Sequence, residues 1–364
     1  MAAFYRGILA RAVLPGMHLV YFAGCNCGYA GTPKRAERGG PTAAFWTRLL
    51  SNSAAGIGTL SARVRLSVYP PPPGGAAEGT AVLTSEQLLW DISDHRAFIS
   101  AESWSRPWPP PKGPHAPFGA TFSEVWVVSR HRQWYAMPQT HHVTSQTPWY
   151  VVINKRPRGP WRKIAHSGFG LSEIERLFVP MVARINRKLG PKSSRARQGK
   201  SCLRLVFKSA RYSAKTKTYR VVFLAHPYQL DAAKRATVRT LYQRFGHIEV
   251  VTRVSLAHGV KIYSETFGCT GGTAGKFAQE SLRFTHFVEV GGIWVPRVSR
   301  FDNFDLGRRK PTNSWTLRLS HIRLNFPVKN SDFRYTPPVG AFVEDAITHG
   351  SYVVQGPAAN LPGR

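Results

Sequence analysis

The sequence has few acidic residues for its size. Asp and Glu number 19 against 50 Lys and Arg, which gives a formal net charge of +31 in 364 residues. This excess predicts attraction to polyanions, namely nucleic acid, anionic lipid head groups or acidic polysaccharide, without choosing among them. Charged residues make up only 19% of the chain and hydrophobic residues 43%, which excludes a disordered basic tail and allows a substantial core.

Cysteine is also scarce. The four cysteines stand at positions 25, 27, 202 and 269. Their spacing matches no zinc ribbon or zinc finger, so no metal site is predicted. If the chain is exported, Cys202 and Cys269 are candidates for a disulfide; if it is cytosolic, they are ordinary buried thiols.

Recognisable catalytic motifs are absent. The segment Gly271–Lys276 suggests a phosphate-binding loop, but Thr270 stands where that loop needs a glycine and Phe277 where it needs Ser or Thr. The carboxylates are scattered and predict no acid–base pair. The sequence therefore predicts a protein that is not an enzyme, has no catalytic residues and uses no cofactor.

Short aromatic and β-branched runs fill most of the chain, most clearly in residues 284–355. Gly, Pro and Asn bound these runs, and Gly291-Gly292 separates two of them by the two residues of a tight hairpin. Upstream, Thr59–Tyr69 alternates between apolar residues and arginines. The pattern predicts a mainly β fold built on an antiparallel sheet.

One strand predicts an apolar surface. Trp315, Leu317 and Leu319 fall on one face of an extended run, and a bulge near Ser320–His321 would keep the following apolar residues on that face. We expect Trp294 to point towards the same surface. Either a ligand cavity or the core of a β-sandwich would give this pattern.

The clearest helix is predicted over Glu173–Leu189. Ser172 and Glu175 form a capping box, and Pro180 is expected to kink the helix. Its apolar stripe is predicted to cover the open side of the sheet and to bring Phe178 to the cavity. The stripe consists of Ile174, Leu177, Phe178, Val182, Ile185 and Leu189.

The N-terminus resembles an export signal. Arg6 and Arg11 precede an apolar segment too short to span a bilayer, which ends at Ala23-Gly24-Cys25. The small residues before Cys25 resemble a lipobox and predict lipid attachment at that cysteine. A cleaved organellar presequence is the alternative, because acidic residues are absent before Glu37.

The C-terminal residues resemble a known superfamily. The order of five short segments is similar to that found in bacterial outer-membrane lipoprotein carriers, the LolA/LolB-like superfamily. These segments are Gly292–Pro296, Ile322–Asn325, Asp332-Phe333, Pro338–Gly340 and Val343–Asp345. The resemblance implies a strongly curved antiparallel half-barrel with one or a few helices on its open side. It also implies non-covalent binding of an acyl chain in a concave apolar cavity.

The predicted organisation follows from these features. Residues 1–25 are a signal peptide with a lipobox, 26–55 a tether, 56–356 the LolA/LolB-like β domain and 357–364 a disordered tail. The expected protein is periplasmic, membrane-anchored and bound to lipid or an acylated protein at an anionic membrane surface. The alternative is a basic, nucleic-acid-associated protein of the organellar ribosome type with a cleaved presequence, since basic clusters such as Lys155–Arg158 lie near tryptophans.

Overall fold

The computed structural model describes thirteen segments of the chain. They comprise residues 40–51, 57–69, 79–94, 96–108, 119–138, 148–155, 171–190, 202–228, 239, 243, 246–271, 277–304 and 311–356. The predicted lipid-attachment residue Cys25 lies outside these residues, as do the signal segment and the tail after residue 356.

Strands dominate the described part of the chain. In chain order they are β1 (Thr59–Tyr69), β2 (Gly79–Asp91), β3 (Arg96–Trp108), β4 (Gly119–Val128), β5 (Arg132–Pro138), β6 (Trp149–Lys155), β7 (Cys202–Ser213), β8 (Thr218–Tyr228), β9 (Gly246–Ser255), β10 (Lys261–Gly271), β11 (Phe277–Val290), β12 (Ile293–Asn303), β13 (Asn313–Leu324), β14 (Phe342–Asp345) and β15 (Gly350–Val353). The described part of the chain also contains the helices α1 (Ala43–Ser51), α2 (Leu171–Phe178) and α3 (Met181–Leu189), with a 3₁₀ turn at Asn330–Phe333. The predicted mainly β class with a few helices is confirmed.

The chain divides into two compact units. Unit 1 comprises residues 1–56 and 159–314, and unit 2 comprises residues 57–158 and 315–364. The sequence did not predict this division, because the strand pattern continues unchanged across both boundaries.

Unit 1 is an antiparallel sheet with the strand order β7-β8-β9-β10-β11-β12. The helices lie on one of its faces, where Trp46 of α1 packs against Tyr219 and Arg176 of α2 lies over the ring of Phe301. Cross-strand pairing places Glu265 on this same face, directly opposite Thr252 and Leu282. We name it the helix face.

Unit 2 has the strand order β15-β14-β6-β5-β4-β3-β2-β1-β13. The pair β14–β6 is parallel, whereas the pairs from β6 through β1 and the β14–β15 hairpin are antiparallel. All the described strands of this unit therefore belong to one sheet, and no second sheet layer occurs among them.

Two local predictions about turns hold. Gly291 and Gly292 have φ angles of 57° and 78° and join β11 to β12, as a primed two-residue turn requires. In β13, burial alternates in one phase up to Leu319 and in the other phase from Ile322 onward. His321 between them has a φ of 52°, which agrees with the predicted bulge.

The predicted helix is two helices rather than one kinked helix. The first ends at Phe178 and the second begins at Met181, with Pro180 at its N-cap. Proline has no N–H to continue the first helix, and its fixed φ suits the start of the second. The first helix begins at Leu171, so Ser172 lies inside it; the side chains of the predicted capping box fall outside the described set.

Candidate functional site

Four adjacent strands of unit 2 share an apolar face. On β1, Leu60, Ala62, Val64 and Leu66 are 0–4% exposed, whereas Arg63 and Arg65 between them are exposed. Alternation along an extended strand places the apolar and the basic set on opposite faces. The predicted alternation of this strand is thus the observed one.

Cross-strand register carries the same face through β2, β3 and β4. Leu60 pairs with Trp90, Trp90 with Ala97 and Ala97 with Val128, and all four are buried. A second row of cross-strand pairs on the same face begins at Ala62 on β1 and ends at Trp126 on β4. We name this surface the unit 2 apolar face; it consists of Leu60, Ala62, Val64, Leu66, Leu88, Trp90, Ala97, Ile99, Ala101, Trp126 and Val128.

A buried carboxyl lies at the β4 end of this face. Glu124 is directly opposite Ala101 and is 6% exposed, and its carboxylate accepts a hydrogen bond of 3.2 Å from the Tyr135 hydroxyl. Burial, followed by the charge of Glu124 and this hydrogen bond, raises the pKa of Tyr135 well above its usual range. The apolar face therefore ends in a neutral phenol paired with a carboxylate.

The predicted trio on β13 is buried. Trp315, Leu317 and Leu319 are 7%, 0% and 2% exposed and alternate on one face of a strand that lies beside β1. The structure brings these three side chains together as the sequence predicted. Whether they contact a ligand stays a prediction.

The opposite face of unit 2 has its own core at β5 and β6. Ala136, Val151 and Ile153 pack with Ala341 and Val343 of the C-terminal segment. Phe333 of the same segment is fully buried elsewhere, beneath the guanidinium of Arg96 at 4.6 Å. Among the residues that carry the superfamily resemblance, Val343 thus has a structural role, because it packs in this core.

Arg96 also belongs to a buried ion pair. Its Nε lies 3.0 Å from Asp91 Oδ2, and both side chains are less than a tenth exposed. Asp91 ends β2 and Arg96 begins β3, so the pair fixes this hairpin against the C-terminal turn at Asn330–Phe333.

Polar contacts in unit 1 hold α3 to the sheet. The carboxylate of Glu265 is 1% exposed and accepts a hydrogen bond of 2.7 Å from the backbone N–H of Met181, at the first residue of α3. Arg184, one turn further along the helix, places Nη2 3.9 Å from the same carboxylate. A carboxylate at a helix N-terminus is favoured by the helix dipole as well as by the hydrogen bond.

A second carboxylate joins both helices. Glu280 on β11 lies 3.5 Å from Arg184 of α3 and 3.6 Å from Arg176 of α2. The guanidinium of Arg176 lies 4.6 Å from the centre of the Phe301 ring on β12. We name Glu265, Glu280, Arg176 and Arg184 the helix anchor.

The two carboxylates of the anchor differ in acidity. Burial raises the pKa of Glu265 to about 7, against the opposing effects of Arg184 and the Met181 N–H. Burial acts in the same direction on Glu280, but Arg176, Arg184 and Lys188 together lower the pKa of that carboxyl below its usual value. Glu265 is therefore the anchor group that changes charge near neutral pH.

Apolar contacts accompany the anchor. Ile174 and Val182 are fully buried and Leu177 is 9% exposed, so the predicted stripe faces the protein. Phe178 is only half-buried, and it ends α2. The position of Phe178 in a cavity stays a prediction.

Trp294 lies near the turn between β9 and β10. It stands at an even position of β12 with Arg300, whereas Phe301 is on the helix face. Its indole N–H donates to the His258 carbonyl, and the Lys261 ammonium lies 3.3 Å from its ring centre. Trp294 therefore lies on the face of unit 1 opposite the helices, and its sharing of a surface with Trp315, Leu317 and Leu319 stays a prediction.

The predicted disulfide requires a correction. Cys269 is a buried free thiol on β10, and Cys202 lies on β7. Strands β8 and β9 lie between those two strands, which separates their backbones by about 14 Å at about 4.8 Å per strand. A disulfide needs Cα atoms within about 7 Å.

The helix anchor was missed from sequence. Its residues lie in separate helices and strands, so sequence spacing does not bring Arg184 and Glu265 together. The available signal was alternation: Glu265 belongs to the same period-two set of β10 as Phe267 and Cys269, and a carboxylate among apolar residues needs a partner when it is buried.

The described residues contain no arranged metal-ligand cluster and no bilayer-spanning helix. Within them no group of three or more His, Cys, Asp or Glu side chains is arranged to hold a metal ion. None of the helices in this part of the chain has the length and hydrophobicity needed to cross a bilayer.

Comparison with known proteins gives structural neighbours. No family model and no curated protein matches the chain. The LolA superfamily protein NE2245 from Nitrosomonas europaea is a similar solved structure, with a TM-score of 0.36 and 9% identity over 81% of this chain and 99% of its own. A DUF1329 family protein from Desulfovibrio piger has a TM-score of 0.33 and 9% identity over 80% of this chain and 95% of its own.

A third neighbour is the β-barrel-like protein of the domain of unknown function DUF1849 from Brucella abortus. Its TM-score is 0.22 and its identity 8%, over 74% of this chain and 99% of its own. The superfamily that the C-terminal residues resemble is thus represented among the structural neighbours.

Proposed function

We propose that the chain is an exported, lipid-anchored binding protein without enzymatic activity, which holds an acyl chain or a similarly apolar ligand against an apolar sheet face. The observation that carries the proposal is the unit 2 apolar face. It extends over four strands, its side chains are at most 7% exposed, and the described strands of that unit form one sheet layer rather than two. A β-sandwich would need that second layer.

The chemistry of the face suits a hydrocarbon chain. Its residues are Leu, Val, Ala, Ile and Trp, which offer dispersion contacts but few hydrogen-bonding groups. Each methylene that leaves water for such a surface contributes about 0.8 kcal/mol. An acyl chain is therefore recognised by its length and apolar character rather than by specific polar contacts.

Trp315, Leu317 and Leu319 extend the proposed binding surface to β13. Leu317 is the best position for a test because it is fully buried at the centre of the trio. Leu317→Trp is expected to block uptake of a fluorescent fatty acid, because the larger ring occupies the position proposed for the ligand. Arg318→Trp, at the exposed neighbouring position on the other face, is the matched control.

The contrary result is well defined. If Leu317 lies in a filled core, Leu317→Trp overpacks that core and lowers the free energy of unfolding by roughly 1–3 kcal/mol. A strongly destabilised Leu317→Trp variant, together with a wild-type protein that takes up no fatty acid, would contradict the proposal.

Lipid attachment at Cys25 is the second part of the proposal. Diacylation there together with the basic body of the protein would give stable membrane association. Cys25→Ser is expected to move the protein into the soluble fraction of the cell. A wild-type protein that is already soluble and unlipidated would refute the lipobox interpretation, and association with RNA would favour the nucleic-acid alternative.

A further inference from the structure

The face of unit 1 opposite the helices carries arginines in cross-strand register. Arg211 on β7 pairs with Arg220 on β8, and Arg220 pairs with Arg253 on β9. Directly paired residues of adjacent strands share one face, so these three side chains stand side by side at steps of about 4.8 Å. All three are exposed.

The row continues across the remaining strands. Arg253 pairs with Ser264 on β10, Ser264 with Arg283 on β11, and Arg283 with Arg300 on β12. Five of the six positions in this register are arginine, over about 24 Å at about 4.8 Å per strand. We name these five residues the arginine row.

Acidic partners are few along the row. Asp302 lies 3.9 Å from Arg283 and 3.1 Å from Arg300, whose side chains remain 63% and 55% exposed. Within the described residues, no acidic group lies within ion-pair distance of Arg211, Arg220 or Arg253. Like charges that face each other across strands are unfavourable, so the row does not stabilise the sheet.

An aromatic group lies on the same face, toward the hairpin ends. The rings of Tyr263 and Phe287 are 5.2 Å apart, and Tyr263 is 36% exposed. Trp294 lies near the β11–β12 turn beneath the Lys261 ammonium. Amphipathic aromatic and long basic side chains together are the residues that suit a membrane–water interface.

We propose that this face of unit 1 docks on an anionic phospholipid bilayer, with the arginine row against the phosphate groups and the aromatic group at the level of the head groups. The charge of the row is complementary to that surface, and guanidinium groups bind phosphate in a bidentate manner. The proposal rests on the proposed location of the protein at a membrane. It assigns to that location a surface separate from the ligand-binding face.

The test uses the full chain carrying Cys25→Ser, so that a lipid anchor contributes nothing. Binding is measured by co-sedimentation with vesicles of phosphatidylcholine and phosphatidylglycerol, and with phosphatidylcholine alone. The variant is Arg211→Ser/Arg220→Ser/Arg253→Ser. The matched control, Arg63→Ser/Arg65→Ser/Arg318→Ser, removes the same charge from exposed strand positions of unit 2.

The row variant is expected to bind anionic vesicles about a hundredfold more weakly than its parent, because each of the three basic residues contributes about 1 kcal/mol near the surface, which is about fivefold in affinity. Its melting temperature should be equal or higher, since opposed like charges have been removed. The control variant should retain most of its binding, and neither should bind phosphatidylcholine alone.

Three outcomes would overturn the proposal. Equal losses in the row variant and the control would mean that net charge alone drives binding. No loss in the row variant would mean that another surface binds. The parent could also bind a single-stranded oligonucleotide more tightly than anionic vesicles. If the row variant lost that oligonucleotide binding, the row would be assigned to nucleic acid. Fatty-acid uptake, measured separately, should be unchanged in the row variant, which keeps this proposal distinguishable from the proposed ligand.

Discussion

Replacement of Glu265 by glutamine tests the helix anchor through its pH dependence. The carboxyl is 1% exposed, and burial raises its pKa from the ordinary value of 4.5 to about 7. Below pH 4.5 the group is protonated in both the folded and the unfolded protein. Between those two values the folded protein binds a proton that the unfolded protein has released, so the stability contributed by this proton is lost as the pH rises through 7.

The magnitude follows from the two pKa values. Their separation corresponds to about 3 kcal/mol, at about 1.4 kcal/mol for each factor of ten. About 2.5 kcal/mol of this is lost between pH 5 and pH 8. Glutamine has the shape of the protonated acid and no proton to release. The free energy of unfolding of Glu265→Gln therefore does not show this loss as the pH rises.

The assay is denaturant unfolding of both proteins at pH 5 and pH 8. We expect the free energy of unfolding of the wild type, relative to Glu265→Gln, to fall by about 2.5 kcal/mol between these pH values. Glu289→Gln, at an exposed position of β11, is the control and should follow the wild type. Parallel curves for the wild type and Glu265→Gln would refute the reasoning, because they would mean that Glu265 titrates as an ordinary surface carboxyl.

Three further predictions concern stability and reactivity. Ile174→Ala should cost about 2–5 kcal/mol of unfolding free energy, and Phe178→Ala clearly less because Phe178 is half-buried; equal losses would contradict the described packing. Arg96→Ala should cost about 3–5 kcal/mol, because it leaves Asp91 buried without its cation, and a melting temperature like that of the wild type would exclude a buried pair. Burial and the charge of Glu249 raise the pKa of Cys269 to about 11, so a thiol reagent should modify it at pH 8 only after unfolding, and rapid modification of the native protein would contradict this.

Local chemistry made much of the sheet predictable. Alternation in β1 assigns Leu60 and Arg63 to opposite faces without knowledge of any neighbour. The Gly291-Gly292 turn follows from two residues that tolerate positive φ. The bulge at His321 follows from a change of apolar phase within one strand.

Features that depend on distant segments were not predictable. The environment of Glu265 is set by Met181 and Arg184, which are more than eighty residues away in the sequence. Period-two alternation gives Trp294 a face, but it does not say which face the helices cover. Sequence spacing likewise gave no strand order, and the order of β7 to β10 is what separates Cys202 from Cys269.

The arginine row illustrates the same limit of sequence patterns. Each arginine alone is one exposed residue of an alternating strand. Their alignment appears only when the register of β7, β8 and β9 is known, because a shift of one residue would move a side chain to the other face.

Analysis of bound lipid tests the central proposal most directly. The protein, purified without detergent after expression with its N-terminal segment, is extracted with organic solvent, and the extract is analysed by mass spectrometry. The account predicts an acyl-chain lipid that co-purifies in proportion to the protein, in addition to any lipid attached at Cys25, and that is lost in Leu317→Trp but kept in Arg318→Trp. An extract without such a lipid, from a protein that also fails to take up added fatty acid, would contradict the account.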